Sequence, residues 1–328
     1  MVFGFETALA RAAVLRDNLN HMTTPTEPTT AVDTRPDRRR GTLSGAAAVL
    51  LWATLAALTA LSGDIPPFQL LAMSFALAFL VGVGLWVWED RRAPKPARRS
   101  VFRRFQLPPA AWALGIYGLF GYHFAYFTAM RLAPPVEAGL INYLWPLLIV
   151  VFAGFLPGER LRGRQIAGAL LGFAGAALIV TRGQGFYVDP RYAGGYLFAV
   201  AAGVIWASYS VLSRRMRDVP TSAVGAFCAA TAVLALLCHL ALEETVRPSA
   251  VEWLAVLGLG LGPVGAAFYV WDYGVKHGNI QTLGALAYSI PLLSTALLVV
   301  LGLAEATWAL AAAAALITGG AVLASWRR

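Results

Sequence analysis

One apolar stretch, from Glu137 to Glu159, carries side chains that could bind a ligand. Its first half holds Asn142, Tyr143 and Trp145, followed by Pro146. Proline has no N–H to donate to the carbonyl four residues earlier, and its ring pushes that carbonyl aside, so a helix here is predicted to kink. A helix that only contacts lipid has no use for an amide, two amphipathic rings and a freed carbonyl. The cluster therefore indicates part of a binding site for a small molecule.

Two other apolar stretches carry aromatic side chains at helical spacing. Tyr122 and Tyr126 share one helical face at i, i+4, and His123 lies beside them. Trp206 and Tyr209 fall within one turn of each other. If these stretches meet the first one, their rings form the walls of a common cavity.

A later stretch, Gln281 to Glu305, repeats the plan of the first. Tyr288 precedes Pro291 by three residues, the spacing that Tyr143 has to the earlier proline. A third proline, Pro263, follows three closely spaced glycines and predicts a flexible bend. The prolines at 146, 263 and 291 are expected to shape hinges or kinks, and Tyr288 is a candidate for the cavity wall.

A cavity with aromatic walls and few polar points suits a small zwitterion with an apolar side chain. Aromatic faces stack on a substrate ring and attract an ammonium group, at roughly 0.5–2 kcal/mol per contact. Each residue has an ordinary alternative role. The tyrosines and tryptophans could pack between helices, and Asn142 could bond a neighbouring helix. For His123, a neutral imidazole bonded to a neighbouring helix is favoured over a proton relay. The residues imply no cofactor and no metal.

Composition places these stretches in a membrane. The chain has 328 residues, of which 58% are hydrophobic and 13% charged, whereas about a quarter of a soluble domain is charged. Its apolar runs of about 20 residues match the length that crosses a bilayer as a helix. They do not alternate with period two, which excludes a barrel. The predicted fold class is an all-α polytopic membrane protein.

The basic residues set the number and direction of the spans. With the N-terminus inside, 20 Lys and Arg residues fall in inner segments and four in outer ones, as the positive-inside rule requires. Ten spans with both termini cytoplasmic are predicted, because one span more or fewer would scramble this bias. The spans are placed near 42–62, 67–88, 110–131, 136–156, 164–181, 194–213, 221–241, 250–272, 281–302 and 307–325. Tryptophans near the span ends are expected to be interfacial anchors: Trp86, Trp88, Trp112, Trp253, Trp308 and Trp326.

The spans form two halves. Residues 1–41 are predicted to be an amphipathic and then disordered tail, to which no function is assigned. Leu50–Leu58 matches Val204–Leu212, which are the first spans of repeats at 42–181 and 182–328. Each repeat has five spans, an odd number, so the second must enter the membrane from the opposite side. Inverted repeats of this kind are typical of secondary transporters with a site at the repeat interface.

Four segments also resemble a known family. They are EAGLINYLWP from Glu137, VIWASY from Val204, GVKHGN from Gly274 and YSIPLLSTAL from Tyr288. The two halves look like the EamA repeats of the drug/metabolite transporter superfamily, and within it these segments are similar to exporters of aromatic amino acids. The resemblance implies a ten-helix exporter of amino acids in the inner (plasma) membrane, with a central cavity between the halves.

Missing charges indicate how transport is driven. No Asp or Glu lies at mid-depth in any predicted span, where proton-coupled transporters usually place one. Asp272 and Lys276 are expected to form a local i, i+4 ion pair at the interface, and Glu137 to serve its helix N-terminus. The hypothesis is therefore facilitated diffusion or exchange by alternating access.

Other functions fit less well. An exporter of cationic drugs or metabolites with the same fold is the main alternative, because aromatic walls also bind cations. An intramembrane enzyme or a channel is disfavoured, since the sequence shows no paired catalytic motif and no filter-like loop. The net charge of +9 lies in loops and predicts no nucleic-acid partner. The expected partners are an amino acid substrate and the lipid bilayer. A glycine face at Gly168, Gly172 and Gly175 predicts helix packing or dimer contacts, and the choice between monomer and homodimer stays open.

Overall fold

The computed structural model describes residues 35–92, 94, 100–157, 161–184, 189–302 and 305–325. Throughout these ranges the regular secondary structure is helical, without a strand. Asp37–Arg328 forms one compact unit and Met1–Pro36 another, of which only the last two residues are described. Residues 1–34 of the predicted tail, Trp326 and part of the predicted inner basic loops lie outside the described residues. Residues 35–41, which were predicted to belong to the tail, instead form the first turns of α1.

Sixteen α-helices are present in the described ranges. The first nine are α1 Arg35–Ala53, α2 Leu55–Leu61, α3 Pro67–Arg92, α4 Val101–Arg104, α5 Pro109–Ile116, α6 Tyr122–Leu132, α7 Pro135–Asn142, α8 Trp145–Ala153 and α9 Gly163–Val180. The others are α10 Ala193–Ser213, α11 Val224–Leu242, α12 Ala250–Leu261, α13 Ala267–His277, α14 Ile280–Ala287, α15 Ser289–Val300 and α16 Trp308–Ser325.

Eight helical stretches of the described chain are long and apolar enough to cross a membrane. They are Arg38–Leu61, Pro67–Arg92, Pro135–Ala153, Gly163–Val180, Pro190–Ser213, Thr221–Leu242, Ala250–His277 and Ile280–Val300. Trp308–Ala324 is a shorter apolar helix. The predicted third span is also helical, from Pro109 to Leu132, but its tyrosines, histidine and arginine lower its hydropathy. The chain is thus a multi-pass helical membrane protein.

Several spans are interrupted where their polar residues lie. Helix α7 ends at Asn142 and α8 begins at Trp145, so the break falls just before Pro146. The helix likewise breaks between α14 and α15 at Tyr288, three residues before Pro291. π-Helical turns at Tyr117–Gly121 and Gly262–Ala266 interrupt two more spans, and such turns frequently occur at functional sites.

Glycines bring the fifth and tenth predicted spans together. A side chain at Gly168 would meet the backbone of Gly320, and one at Gly175 would lie 2.7 Å from Ile317. The predicted glycine face therefore packs α9 on α16 within the chain.

Trp86 corrects an expectation. It is 2% exposed and donates its indole N–H to the carbonyl of Ser222 at 2.8 Å. It packs between helices and is not an interfacial anchor. Trp88, Trp253 and Trp308, by contrast, are all about half exposed or more.

Candidate substrate cavity

A cavity of about 600 Å³ lies among α1, α2, α3, α6, α7, α8, α10, the α12–α13 bend and α15. Pockets for small molecules range from about 300 to 1,000 Å³. The lining extends from Trp52 and Trp206 up to the loop at 62–67 that joins the first two predicted spans. None of the described residues that line it is Asp, Glu, Lys or Arg.

Tryptophans form the floor of this cavity. The ring of Trp52 lies 5.7 Å from Trp206 and 6.3 Å from Trp145, both edge to face. The indole N–H of Trp52 donates to the carbonyl of Pro263 at 2.9 Å. The π-helical turn at Gly262–Ala266 interrupts the regular pattern of backbone hydrogen bonds around this carbonyl. This bond ties the first span to the α12–α13 bend.

Tyrosines form the wall on the third predicted span. Tyr122 and Tyr126 stack with ring centroids 6.0 Å apart and planes 15° apart. Tyr122 also lies 5.3 Å from Trp206. Tyr143, in the break between α7 and α8, lines the cavity as well. A planar substrate ring would therefore meet aromatic faces from three spans.

His123 lines the cavity and is held by its own helix. Its Nδ1 lies 2.6 Å from the carbonyl oxygen of Leu119; because a carbonyl only accepts, Nδ1 donates and carries the proton. The ring also packs edge to face on Phe75 at 5.2 Å. The hydrogen bond to a neighbouring helix that the sequence favoured is thus replaced by one within the helix.

Asn142 is the polar residue of the cluster. It is 5% exposed, and its Nδ2 donates to the hydroxyl of Tyr122 at 3.3 Å. Its Oδ1 has no partner. Ser74, on α3, also lines the cavity and has an unpartnered hydroxyl. Sequence reasoning missed Ser74, since a lone serine in an apolar run reads as an ordinary helix residue.

Two sequence candidates lie away from the cavity. Tyr209 packs against Gly118, where a side chain would collide with its ring, and lines a separate small cavity with Asp272. Tyr288 is fully buried against Gly172 and accepts a hydrogen bond from the backbone N–H of Leu147 at 3.0 Å. The structure therefore brings seven of the nine candidates together. Of the three prolines, Pro263 lines the cavity, whereas Pro146 and Pro291 are buried beside it.

Two of the charged clusters outside the cavity have carboxylates that are almost completely buried. Asp272 and Lys276 form the expected ion pair, at 2.8 Å, but both side chains are almost completely buried in protein, not at the membrane interface. Thr221 donates to the same carboxylate at 2.7 Å. The other cluster, which the sequence did not reveal, surrounds Glu243.

Glu243 is 1% exposed in its side chain. It accepts hydrogen bonds from Arg131 at 2.8 Å and from the backbone N–H groups of Phe68 and Gln69 at 3.1 Å. His239 Nδ1 lies 3.1 Å from the same carboxylate. This single side chain links the first turn of α3 to the ends of α6 and α11.

Glycines close the predicted inner end of the fold. The pairs Gly41/Gly45 on α1 and Gly274/Gly278 at the C-terminal end of α13 are each spaced at i, i+4. A Cβ atom added to Gly274 would lie 2.6 Å from the Cα of Gly45, and one added to Gly278 would lie 2.6 Å from the nitrogen of Thr42. These backbones touch as GxxxG faces do.

Polar contacts reinforce this closure. The backbone N–H of Asn279 donates to the Thr42 hydroxyl at 2.9 Å. Arg214 donates to the carbonyls of Val275 and Gly278 at 3.1 and 2.7 Å. Nothing in the described chain gathers three or more His, Cys, Asp or Glu side chains as a metal site would need.

Comparisons with known proteins give this geometry a context. The family described as the EamA-like transporter family matches residues 39–181 and 193–326. The aromatic amino acid exporter YddG of Ancylobacter novellus is 52% identical over 289 residues, covering 88% of this chain and 98% of its own. The protein of the same name from Escherichia coli is 24% identical, with 87% and 97% covered. A protein of known crystal structure is 50% identical with a TM-score of 0.82, covering 88% of this chain and 98% of its own.

Proposed function

The chain belongs to the EamA-like transporter family, and from that premise we propose that it exports amino acids, aromatic ones included, across the inner (plasma) membrane. The relative from Ancylobacter novellus, named an aromatic amino acid exporter, supports the substrate class through 52% identity over nearly its whole length. The family fold alone does not identify the substrate class, because one transporter fold serves many substrates.

The observation that carries the proposal is the lining of the cavity. Aromatic rings of Tyr122, Tyr126, Tyr143, Trp145 and Trp206 face a space of about 600 Å³ whose described lining has no charged Asp, Glu, Lys or Arg. A zwitterion brings both charges itself, so neutral hydrogen-bonding groups and aromatic faces suit it. A nucleotide or an organic anion would need a basic wall.

The proposed topology determines the side of the membrane to which the cavity opens. We propose ten spans in two inverted repeats, residues 42–181 and 182–328, with both termini in the cytoplasm. The loop at 62–67 is then outside, so a cavity that reaches this loop opens outward. The glycine crossing at Gly41/Gly45 and Gly274/Gly278 closes the inside. The conformation corresponds to the outward-facing state.

Alternating access would follow from rocking of the two repeats. The helix breaks before Pro146 and Pro291 and the π-helical turn at Pro263 are the proposed hinges, because they are the points where the helical ladder is already interrupted. No carboxylate of the described lining is available to carry a proton. Export therefore runs down the substrate gradient or by exchange.

Counterflow tests the substrate and the site together. Purified protein in liposomes preloaded with L-phenylalanine is expected to take up labelled L-phenylalanine. Tyr126→Leu removes one stacked ring and is expected to raise the half-saturating concentration about 5- to 30-fold, for a lost contact of about 1–2 kcal/mol. Tyr117→Leu is the matched control, because Tyr117 lies in the same predicted span, is 38% exposed and does not line the cavity.

Three outcomes would count against the proposed function or its mechanism. Counterflow with a cation such as tetraphenylphosphonium, but with no amino acid, would favour the drug exporter of the same fold. Equal effects of Tyr126→Leu and Tyr117→Leu would separate the cavity from transport. A pH gradient imposed without a membrane potential should leave uptake unchanged, and strong stimulation by that gradient would contradict the facilitative mechanism.

A further inference from the structure

The two proposed repeats can be aligned residue by residue. Trp206 follows Trp52 by 154 positions, and the Asp-x-Pro sequence before the second span of the first repeat recurs at the same spacing. The π-helical turn at Gly262–Ala266 follows the one at Tyr117–Gly121 by 145 positions, and the tyrosine–proline motifs of the fourth spans share that spacing. The first two spans of each repeat are therefore related by 154 positions, and the third and fourth by 145.

The small cavity beside Asp272, called the inner cavity from here on, corresponds to the large cavity under this alignment. Six of the ten described residues that line it have counterparts that line the large cavity. The six, each followed by its counterpart, are Leu114 (Leu259), Tyr209 (Leu55), Ser213 (Thr59), Met216 (Ser62), Val219 (Ile65) and Asp272 (Phe127). The inner cavity holds about 10 Å³ and the large cavity about 600 Å³, so the same place in the fold is closed in one repeat and open in the other.

This correspondence predicts what the inner cavity becomes when the proposed transporter faces inward. Inverted repeats exchange their arrangements during alternating access, so the inner cavity is expected to open toward the cytoplasm while the large cavity closes. Tyr209 and Ser213 are now 2% and 4% exposed, whereas their counterparts Leu55 and Thr59 are exposed in the large cavity. In the inward-facing state Tyr209 and Ser213 are therefore expected to be the exposed pair.

An ion pair distinguishes the inner cavity from the large one. Lys276 Nζ lies 2.8 Å from Asp272 Oδ2, and both side chains are almost completely buried. The counterpart of Asp272 is Phe127, so the fold does not need a carboxylate at this position. The counterpart of Lys276 is Arg131, which bonds Glu243 instead. Because a buried ion pair generally stabilises a protein no more than apolar residues of similar volume do, these charges indicate a role in binding.

We propose that the inner cavity is the closed form of a loading site for an amino acid from the cytoplasm, in which Asp272 accepts hydrogen bonds from the ammonium group and Lys276 donates to the carboxylate. When the site opens, the two charges of the zwitterion take the place of the two side chains as each other's partners, so no charge is left unpaired. Thr221 donates to Asp272 at 2.7 Å, and Lys276 donates to the carbonyl of Val219 at 2.9 Å, which holds both charged groups in position.

The loading site rests on the proposed function and deepens it. The large cavity has no Asp, Glu, Lys or Arg in its described lining, so a zwitterion is bound there without charged partners. The inner cavity offers one partner for each charge. Recognition of both the ammonium group and the carboxylate is thus assigned to the cytoplasmic side, and recognition of the aromatic ring to the large cavity.

Thiol labelling tests the loading site from the side on which it opens. The reporter is Ser213→Cys in a chain whose native cysteines, Cys228 and Cys238, are replaced by serine. A membrane-impermeant maleimide applied to inside-out vesicles should react with it, because exchange exposes the inner cavity to the cytoplasm. L-Phenylalanine in the same solution should slow the reaction, and the concentration that halves the rate measures its binding to the inward-facing state.

Ligands that carry one charge each test the ion pair. Phenethylamine lacks the carboxylate of L-phenylalanine, and 3-phenylpropionate lacks the ammonium group. L-Phenylalanine should halve the rate at a concentration about 10- to 100-fold lower than either analogue, the difference expected for one charge-assisted hydrogen bond. This advantage should disappear in the double variant Asp272→Asn/Lys276→Met, which leaves neither charge buried alone. If the double variant does not fold, the comparison of the three ligands on the native pair decides the matter.

Glu89→Gln is the matched control. Glu89 also pairs with a cation, Arg104, but lines neither cavity. It should leave the advantage of L-phenylalanine over the two analogues unchanged.

The outcomes separate the loading site from the proposed function. In a protein that exchanges L-phenylalanine, an unreactive reporter, or a reaction that L-phenylalanine does not slow, would overturn the loading site and leave the function standing. So would equal protection by all three ligands, an advantage that survives in the folded double variant, or an equal loss of it in Glu89→Gln. Selective protection by L-phenylalanine without counterflow of any amino acid would support the site and overturn the proposed function instead.

Discussion

The glycine crossing at the proposed inner end gives the sharpest test of the proposed alternating access. Substituting Gly274 by alanine places a Cβ atom 2.6 Å from the Cα of Gly45, and ordinary contact begins at 3.4 Å. The two backbones must therefore separate by about 0.8 Å. The nearest atoms belong to the backbone of Gly45 and Gly41, which cannot rotate away as a side chain could. The strain therefore pushes the two helices apart.

The size of the effect follows from the cost of overpacking. Inserting a methyl group into a well-packed contact costs about 1–3 kcal/mol. If the contact exists only while the inner side is closed, this energy shifts the conformational equilibrium about 5- to 150-fold toward the inward-open state. Gly84→Ala is the control, because a Cβ atom on this exposed helical glycine meets nothing within 4 Å.

Thiol labelling reports the opening. Ser213 lines a small cavity at the proposed inner end and is 4% exposed, so Ser213→Cys is a suitable reporter. In a Cys238→Ser background the remaining native thiol, Cys228, is fully buried. A membrane-impermeant reagent applied from the cytoplasmic side should label the reporter at least fivefold faster in Gly274→Ala than in Gly84→Ala. Equal labelling in a folded Gly274→Ala protein would refute the proposed inner closure.

Three further predictions concern the buried polar groups. Asp272→Asn should lower the free energy of unfolding by about 3–5 kcal/mol, because it leaves the buried Lys276 ammonium uncompensated, and adding Lys276→Met should restore most of that loss in a thermal melt. Glu243→Gln should lower the melting temperature, since the buried carboxylate bonds groups of three helices. It should leave the affinity for L-phenylalanine unchanged, because Glu243 does not line the cavity. A changed affinity with normal stability would contradict this. Tyr288→Phe should cost about 0.5–1.5 kcal/mol of stability through the lost bond to the Leu147 N–H, and a melting temperature equal to that of wild type would contradict this.

Patterns that lie within a single helix could be predicted from the sequence. The family resemblance carried by NYLWP and KHGN is confirmed by the match of residues 39–181 and 193–326. The stacked pair Tyr122 and Tyr126 follows from i, i+4 spacing, because a regular helix fixes which residues share a face.

Contacts between segments that are far apart in the sequence could not be predicted. Glu243 and Phe68 are 175 positions apart, and neither local sequence indicates that the Glu243 carboxylate accepts a hydrogen bond from the first turn of α3. Gly41 and Gly278 each read as an ordinary loop or helix glycine until the two backbones meet. Trp86 has the position of an interfacial anchor but finds Ser222 across a helix interface. In each case the partner, and not the local pattern, decides the role.

The two tyrosines that precede prolines lie in different surroundings in the two proposed inverted repeats. Tyr143 lines the open cavity, whereas Tyr288, its counterpart in the second repeat, is buried on Gly172 and bonded to the Leu147 N–H. In alternating access, each half takes the arrangement of the other half when the transporter switches between its outward-facing and inward-facing states. In either state alone, the same sequence motif is therefore expected to have different surroundings in the two halves. Tyr288 should then leave its packed site when the inner side opens.

A cysteine at that position tests the exchange. Tyr288→Cys, with Cys238 replaced by serine, should react from the cytoplasmic side in the Gly274→Ala background and stay unreactive in the Gly84→Ala background, since only the first separates the inner crossing. Equal, slow reaction in both would mean that Tyr288 is a fixed packing residue. The two repeats would then differ by structure alone, and the tyrosine–proline motif would serve substrate only in the first half.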